Sequence, residues 1–519
     1  MTESNHSFFS GRRQLFATLL FLALVTLAVY SVSFFNGFVV DDEVIIVNNP
    51  QTLSLKNIPQ VLLAPDLIKP YYRPLNRSTY LLDYRVAGMN PAWYHGVNII
   101  IHLGNVLLLY LVASRLLPGR WGGLAAALLF AVHPVNSEAV NFISARNTLL
   151  ALFFSLASLL VWMNSREKRM AIPIGSALLF FCGLLCKETA LMMIAVFFLA
   201  AFFPLQQGEE RLGWKGRLLY LSPFVLMTVV YFVMRACSLQ GIVGTPVPAE
   251  GLLSRMLSNY RIIPQYMELL LFPADLTLFH RISPGGIFSP PWYLPAIIGL
   301  MAILWFVVKS RNRVGLFGFA WLFINYVPIS SIVPIPSDQI TERYLYMPAV
   351  GFFLGAGALF SWLGSKEKHR PLIWAGAGVI AVLLTCVTVE RNLEWKNNLT
   401  LFASGVRNDP FSTAAHYNLG TALLEKGDLE AARREWEKTL SLDPAYADAL
   451  TQLGTMLAVH GDLAAAERLY LAALAAPLGA ADPDKSMAHY NLGKLYEKRG
   501  MPAQALGHYR RFVETVPLT

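Results

Sequence analysis

The chain has 519 residues, 55% of them hydrophobic and only 14% charged, against about 25% charged in an ordinary soluble domain, so it reads as a polytopic membrane protein. The net charge of +9 does not indicate nucleic acid, because Lys and Arg fall in short clusters between apolar runs, where they act as topology signals. The four cysteines, Cys182, Cys186, Cys237 and Cys386, lie within or at the ends of expected spans and indicate neither a disulfide framework nor a zinc knuckle.

Apolar runs fill residues 14–390, and residues 391–519 read as a soluble helical segment with regular charges. The division falls near Arg391. At the N-terminus Arg12 and Arg13 precede an apolar run of about 20 residues, long enough to span and without a small-residue cleavage site before Asp41, so the expectation is an uncleaved first helix. Spans are expected at 14–35, 96–117, 121–140, 147–164, 171–186, 189–205, 216–236, 291–308, 314–332, 344–363 and 371–389. With the N-terminus inside, every inside connection is basic: Arg12 and Arg13, Arg115 and Arg120, Arg166 to Arg169, Arg211 to Arg217, Lys309 to Arg313, and Lys366 to Arg370. Eleven spans then place the C-terminal segment outside. Residues 260–272 are apolar but too short for a comfortable span, and the expectation there is an outside or re-entrant segment.

The outside connections hold the polar detail. Residues 39–50, VVDDEVIIVNNP, put Asp41, Asp42 and Glu43 directly after the first span. Acids at a membrane exit are either a solvated boundary or the edge of a working site. Beyond Tyr71-Tyr72-Arg73-Pro74 the pattern predicts an amphipathic helix on the membrane surface. His95, Asn98, His102 and Asn105 follow at steps of three, four and three, one polar stripe on an apolar helix. Interhelical hydrogen bonding is the first reading of that stripe, ahead of ligand contact. Pro134 breaks the next helix between His133 and Glu138, with Arg146 beyond. Lys187-Glu188 forms a tight turn between two short spans and either neutralises itself or faces a site. Arg343 opens a helix at its outside end, as an anchor or an anion site.

From Phe411 the period is 34: Asn418-Leu419-Gly420 recurs as Gln452-Leu453-Gly454, and Gly427-Asp428-Leu429 as Gly461-Asp462-Leu463. After a five-residue insertion at 478–482, Asn491-Leu492-Gly493 follows. Ala432, Ala466 and Ala505, each followed four residues later by Trp436, Tyr470 and Tyr509, resemble tetratricopeptide repeats, here three of them at about 413–446, 447–480 and 486–519. Such stacks bind peptides or protein surfaces.

Together the runs VDDEVIIVNNP, YYRPLNRSTYLLDY, YHGVNIIIHLGNVLLLYL, LLFAVHPVNSEAVNFISARNTLLALFF, GLLCKETALMM and TERYLYMPAVGFF, ahead of the repeats, resemble the transmembrane-and-tetratricopeptide O-mannosyltransferases. The similarity covers nearly the full length and departs in repeat number, the animal members carrying many more. It implies an all-α protein: a polytopic membrane domain of the glycosyltransferase C fold over 1–390, then the solenoid over 391–519. It implies transfer of mannose or a similar hexose, with inversion, from a polyprenyl-phosphate carrier to a protein Ser or Thr hydroxyl on the non-cytosolic face. A carboxylate accepts the hydroxyl proton, and the leaving lipid phosphate needs cations or a metal.

By that resemblance Asp42 is the expected general base, with Asp41 orienting it or sharing with it a divalent ion, Mg or Mn. Arg343 is the first candidate for the lipid phosphate, with Lys187, Arg146 and Arg73 behind it. His133 and Glu138 are expected to line the sugar pocket, and His102 and Glu43 complete the substrate-side candidates. The expected partners are the polyprenyl-linked donor, a protein or peptide acceptor held by the repeats, and membrane lipid, with no nucleic acid. The short solenoid suggests a bacterial inner membrane, with site and repeats in the periplasm. Two alternatives stand beside this: a lipid or surface-polysaccharide transferase of the same fold, and a non-catalytic scaffold for envelope assembly.

Overall fold

The computed structural model describes residues 2–65, 71–118, 120–167, 173–202, 213–239, 252–281, 298, 301, 309, 312–330, 340–365, 367–477 and 485–515. The expected span 291–308, the insertion at 478–482 and the basic residues Lys168, Arg169, Arg211, Arg311 and Lys366 lie outside them, but for isolated positions. The described residues form helices and turns, with no strand among them. They divide into a membrane unit that ends at Asn397 and a second unit made of 398–519 together with Thr277–Arg281.

In the membrane unit, five helices are long and apolar enough to cross a bilayer: Arg12–Val29, Pro91–Leu116, Ile143–Ser165, Trp214–Ser238 and Glu367–Glu394. A sixth span arises if Trp121–Val132 and Pro134–Asn141, bent by 55°, count as one. The bend has a local cause: Pro134 offers no N–H, and the His133 ring takes over as cap, its Nδ1 accepting from Val135 N at 3.3 Å. Ile174–Cys186, Glu188–Phe202, Arg313–Ile329 and Ala349–Leu363 sit where spans are expected but are shorter. The first helix stops at Val29 and gives way to the 3-10 turn Ser31–Phe35, short of the expected end. The segment expected to be outside or re-entrant forms the later part of Leu252–Leu271, with Pro264 inside it.

Helices that must approach closely do so through glycine. A Cβ on Gly318 would stand 2.6 Å from the Gly351 carbonyl oxygen, so Arg313–Tyr326 and Ala349–Leu363 meet backbone to backbone. The expected surface helix runs Pro74–Ala87, but the face it packs inward is polar, with Asn76, Arg77, Tyr80 and Asp83 buried and Leu82 and Val86 exposed.

The second unit opens with a helix absent from the sequence reading, Asn398–Asn408. Three helix pairs follow: Thr413–Glu425 with Leu429–Leu442, Ala447–Val459 with Leu463–Ala475, and Ser486–Lys498 with Pro502–Thr515. The 34-residue period has a packing origin. A Cβ on Gly420 would lie 2.5 Å from Trp436, one on Gly454 2.8 Å from Tyr470, and one on Gly493 2.5 Å from Tyr509. Each small residue seats the aromatic of its partner helix. Gly427 and Gly461 close the first helix of a pair at φ +88° and +90°, and the next residue caps the second helix. Asp428 accepts from Ala431 N at 3.0 Å, and Asp462 from Ala465 N at 2.9 Å. Thr277–Arg281 belongs to this unit through Phe279, stacked on Phe402 at 6.2 Å, and Arg281, paired with Asp409 at 3.2 Å.

Candidate active site

The acid loop begins at an unusual backbone. Val40 has φ +53°, the sole positive φ at a non-glycine among the described residues, and a β-branched side chain makes that conformation costly. Beyond it the two aspartates part company. Asp42 is fully buried, its Oδ2 accepting from Val39 N at 3.2 Å and its Oδ1 from Ser144 N at 2.7 Å and Ser144 Oγ at 2.5 Å. Asp41 is half-buried, and its carboxylate accepts no hydrogen bond among the described residues. Burial pushes the Asp42 carboxyl up to about 7, against the pull of the Ser144 and Val39 donors. It raises Asp41 as well, and the nearby Arg343 guanidinium opposes that rise.

The structure sets Asp42, the expected general base, apart from Asp41 in access. A base must reach the proton it takes, and Asp42 has no exposed surface and spends both oxygens on the protein. Asp41 is the carboxylate left available. Glu43 opens the five-residue π-helical turn Glu43–Val47, its carbonyl accepting from Asn48 N at 2.7 Å. Turns of this kind recur at functional sites.

The cations gather from separate parts of the chain. Arg343 lies in the turn Glu342–Leu345 with its side chain 20% exposed. Its backbone N donates to Glu138 Oε2 at 3.0 Å, its guanidinium pairs with Glu138 Oε1, and its Cζ lies 5.3 Å from the Phe142 ring. Glu138 is therefore the buried holder of Arg343, which corrects its expected place in a sugar pocket. Arg73 grips Glu188 with Nε to Oε2 at 3.0 Å and Nη2 to Oε1 at 2.6 Å, and lies 4.0 Å over the Tyr71 ring. Lys187 donates from Nζ to Thr148 Oγ1 at 2.7 Å and stands 5.4 Å from the Tyr344 ring. Burial, with Arg73 and Arg343 nearby, draws the Lys187 ammonium down to about 7. Asp41, Arg73, Lys187 and Arg343 thus share one electrostatic neighbourhood at loop level.

Other candidates prove structural. Arg146 has no exposed side-chain surface. It donates to Asn98 Oδ1 at 2.8 Å, Thr79 Oγ1 at 3.1 Å and Tyr94 O at 3.2 Å, and pairs with Asp83. A guanidinium with four of its five donors engaged and no exposed surface is not placed to meet a phosphate. His133 is corrected likewise: with Nδ1 accepting from Val135, its Nε2–H donates to Leu270 O at 3.2 Å. His102 Nδ1 lies 2.7 Å from Tyr346 OH, which also accepts from Asn105 Nδ2 at 3.0 Å. His95 Nε2 lies 3.2 Å from Gly37 O, and Asn98 Nδ2 donates to Val140 O at the same distance. The stripe is interhelical hydrogen bonding, and His102 holds no substrate-facing surface.

The site also contains residues that the sequence did not single out. Ser144, Thr148 and Tyr71 are unremarkable in sequence, and only the fold sets them against Asp42, Lys187 and Arg73. The expected divalent ion does not fit the residues present. Asp42 already holds three donors and Glu138 is committed to Arg343. Among the described residues no group of three His, Cys, Asp or Glu could cage an ion.

Residues 399–447, 417–481 and 451–518 match the tetratricopeptide repeat family model. The protein O-mannosyl-transferase F38B6.6 of Caenorhabditis elegans is 29% identical over 451 residues, covering 84% of this chain and 64% of the relative. The mouse protein O-mannosyl-transferase TMTC3 is 24% identical over 467 residues, covering 81% and 50%. The human TMTC1 is 26% identical over 483 residues, covering 81% and 54%. The relatives are TMTC-family protein O-mannosyl-transferases. This chain spans half to just under two thirds of their length. Among solved structures, the archaeal oligosaccharyltransferase AglB of Archaeoglobus fulgidus, in complex with an inhibitory peptide and a dolichol-phosphate, superposes with a TM-score of 0.39 at 11% identity, covering 76% of this chain and 56% of that one. The chain is a membrane protein with a tetratricopeptide-repeat segment.

Proposed function

We propose that this chain is an inverting glycosyltransferase that moves mannose or a similar hexose from a polyprenyl-phosphate carrier to a protein Ser or Thr hydroxyl on the non-cytosolic face, the repeats receiving the acceptor. The observation that carries the reading is Asp41, a carboxylate that accepts no hydrogen bond among the described residues, partly exposed and within electrostatic reach of Arg343.

In the reaction the acceptor oxygen attacks the sugar C1 as Asp41 takes its proton, and the bond from C1 to the phosphate oxygen breaks with inversion. The electron pair leaves with the lipid phosphate, whose charge rises from one negative to two. Arg343, with Lys187 in its protonated form, stabilises that added charge, as preorganised cations do in a water-poor site. Glu138 holds Arg343 through both its backbone N and its guanidinium. Asp42 is the positioning residue, fixing the loop through Ser144 so that Asp41 faces outward. An open apolar face formed by Leu191, Met192, Ile194, Ala195 and Phe198 begins four residues past Lys187.

Purified chain given a short-chain polyprenyl-phosphate mannose and a Ser/Thr peptide is expected to form the glycopeptide. Asp41→Asn is expected to lower the rate by about 10²–10⁴, the usual weight of a general base, while the protein stays folded. Full activity in Asp41→Asn would overturn the assignment. Because burial raises the Asp41 pKa, the acid limb of kcat/KM is expected above the usual carboxylate range, activity falling as pH falls through it.

A further inference from the structure

The break after the first helix is closed by three buried amides that take no part in the transfer. Asn36 ends the turn that follows Val29, Asn141 ends the bent segment Ser137–Asn141, and Asn392 lies in the last turns of Arg370–Glu394. Asn36 is 4% exposed and the other two 0%. Asn392 Nδ2 donates to Val29 O at 3.0 Å, and a carbonyl can only accept, so Asn392 Oδ1 is left to face Asn141. There it accepts from Asn141 Nδ2 at 2.7 Å, which also donates to Ser137 O at 2.9 Å. Asn141 Oδ1 in turn accepts from Asn36 Nδ2 at 3.0 Å, and the same Nδ2 donates to Asn392 O at 3.1 Å. The Val29 carbonyl thus sets the direction of every bond, and a buried network satisfied in this way fixes geometry.

Asn36 leads into the acid loop, and the loop's far end is held on the same stretch of chain. Asp42 is clasped by Ser144, three residues past Asn141. Residues 36–42 are therefore stapled at one end to Asn141 and at the other to Ser144. Gly37 is held too, its N donating to Lys396 O at 2.9 Å and its O lying 3.2 Å from His95 Nε2, but those bonds run to other segments. The Asn36 amide is what ties the near end to the stretch that clasps the far end. Between the staples the chain turns sharply: Asp42 N donates to Val39 O at 3.0 Å, and Val40 holds φ +53°. A β-branched residue keeps such a conformation only where its surroundings over-determine it. With one staple gone the two ends can shift against each other and Val40 can relax, which redirects the next residue, Asp41. The cations are untouched by this, since Arg343 is held by Glu138, Lys187 by Thr148 and Arg73 by Glu188.

We infer that Asn36 is a positioning residue of the active site: by tying the near end of the acid loop to the stretch that clasps its far end, it holds the Val40 turn and with it the Asp41 carboxylate. The inference rests on the transferase reading above, with Asp41 as base. An amide with a merely structural role would add its cost to that of any other lesion. One that acts through Asp41 has nothing left to position once that carboxylate is gone.

The test uses the full chain in nanodiscs, with binding of a fluorescent short-chain polyprenyl phosphate and transfer from the corresponding mannosyl donor to a Ser/Thr peptide as separate readouts. Asn36→Ala is expected to lower kcat about tenfold to a hundredfold at equal folded yield, the cost of a small misplacement of a catalytic group. Its polyprenyl-phosphate binding is expected to stay within about threefold of native, as for sites that share no partner. Asp41→Asn combined with Asn36→Ala is expected to transfer within about twofold of Asp41→Asn alone, as residues acting as a unit do. Where Asn36→Ala fails to fold, Asn36→Ser, which keeps a hydroxyl in the buried place, carries the same expectations. A native kcat in the Asn36 variant would overturn the inference, as would loss of its polyprenyl-phosphate binding. If the native chain transferred no sugar, or Asp41→Asn were fully active, the transferase reading with Asp41 as base would fall and this inference with it. If the native chain were active and Asp41→Asn slow, but the double variant slower still by the full factor of the Asn36 change, only the positioning role would fall.

Discussion

The membrane unit and the repeat unit bury very different things. In the repeats the interior is Ala432, Trp436, Ala466, Tyr470, Leu492 and their like, and most charges lie outside, as in Arg433 with Glu437 at 3.5 Å, both about half exposed. In the membrane unit the interior around the loops holds Asp42, Glu138, Arg146 and Lys187, each buried and each held by named partners. Apolar burial is non-directional and tolerates drift. Buried charge is costly unless every partner is in place, so it fixes side chains within narrow limits. The repeats are built to stack, and the loop layer to hold positions.

Arg146→Met is the severest way to test that contrast, since it leaves Asp83 buried without its counter-charge; a loss of about 3–5 kcal/mol is expected, read as a collapse in the yield of folded, detergent-extracted protein. Trp436→Ala removes the aromatic seated on Gly420 and is expected to cost about 3–5 kcal/mol of the repeat unit, read by thermal melting, with donor binding retained. Loss of donor binding in that variant would show that the two units are not separable in their effects. A gentler probe is pH. Asp42 titrates at about 7 when folded and at about 4 in an unfolded chain, so the folded state favours its protonated form. The stability this group contributes is complete below pH 4 and lost as pH rises through 7. The melting temperature of the native chain relative to Asp42→Asn is expected to fall across that window, and a flat difference would show that Asp42 is ionised throughout. Least of all should Arg433→Ala matter: under about 0.5 kcal/mol, as for a half-exposed surface pair, and a larger loss would mean that repeat charges also fix geometry.

Legibility follows the same division. The repeats were readable because Gly420, Gly454 and Gly493 and their aromatic partners recur at fixed spacing, and spacing is what a sequence displays. The helix Asn398–Asn408 escaped notice because it stands outside that period. The spans were readable from hydropathy, yet the stop at Val29 and the 55° bend after Val132 depend on local backbone and capping that hydropathy averages away. In the site, the sequence brought out the acids and cations as residue types but could not rank them. Asp41 and Asp42 are adjacent and chemically identical, and what separates them is the positive φ of Val40 and the distant Ser144. Arg146 and Arg343 are equally basic on paper; one is enclosed by Asn98, Asp83 and Tyr94, and the other keeps an open face.

The clasp between Asp42 and Ser144 joins residues 102 apart, and that between Glu138 and Arg343 joins residues 205 apart. A chain made from its N-terminus delivers Asp41 early, soon after its first helix, before Ser144 has arrived to hold the loop. The loop can take its final shape only once Ser144 has arrived, and the cation opposite only once Arg343 has emerged. Assembly order therefore decides when the site exists: a nascent or truncated membrane unit carries the acid, but not the geometry that positions it.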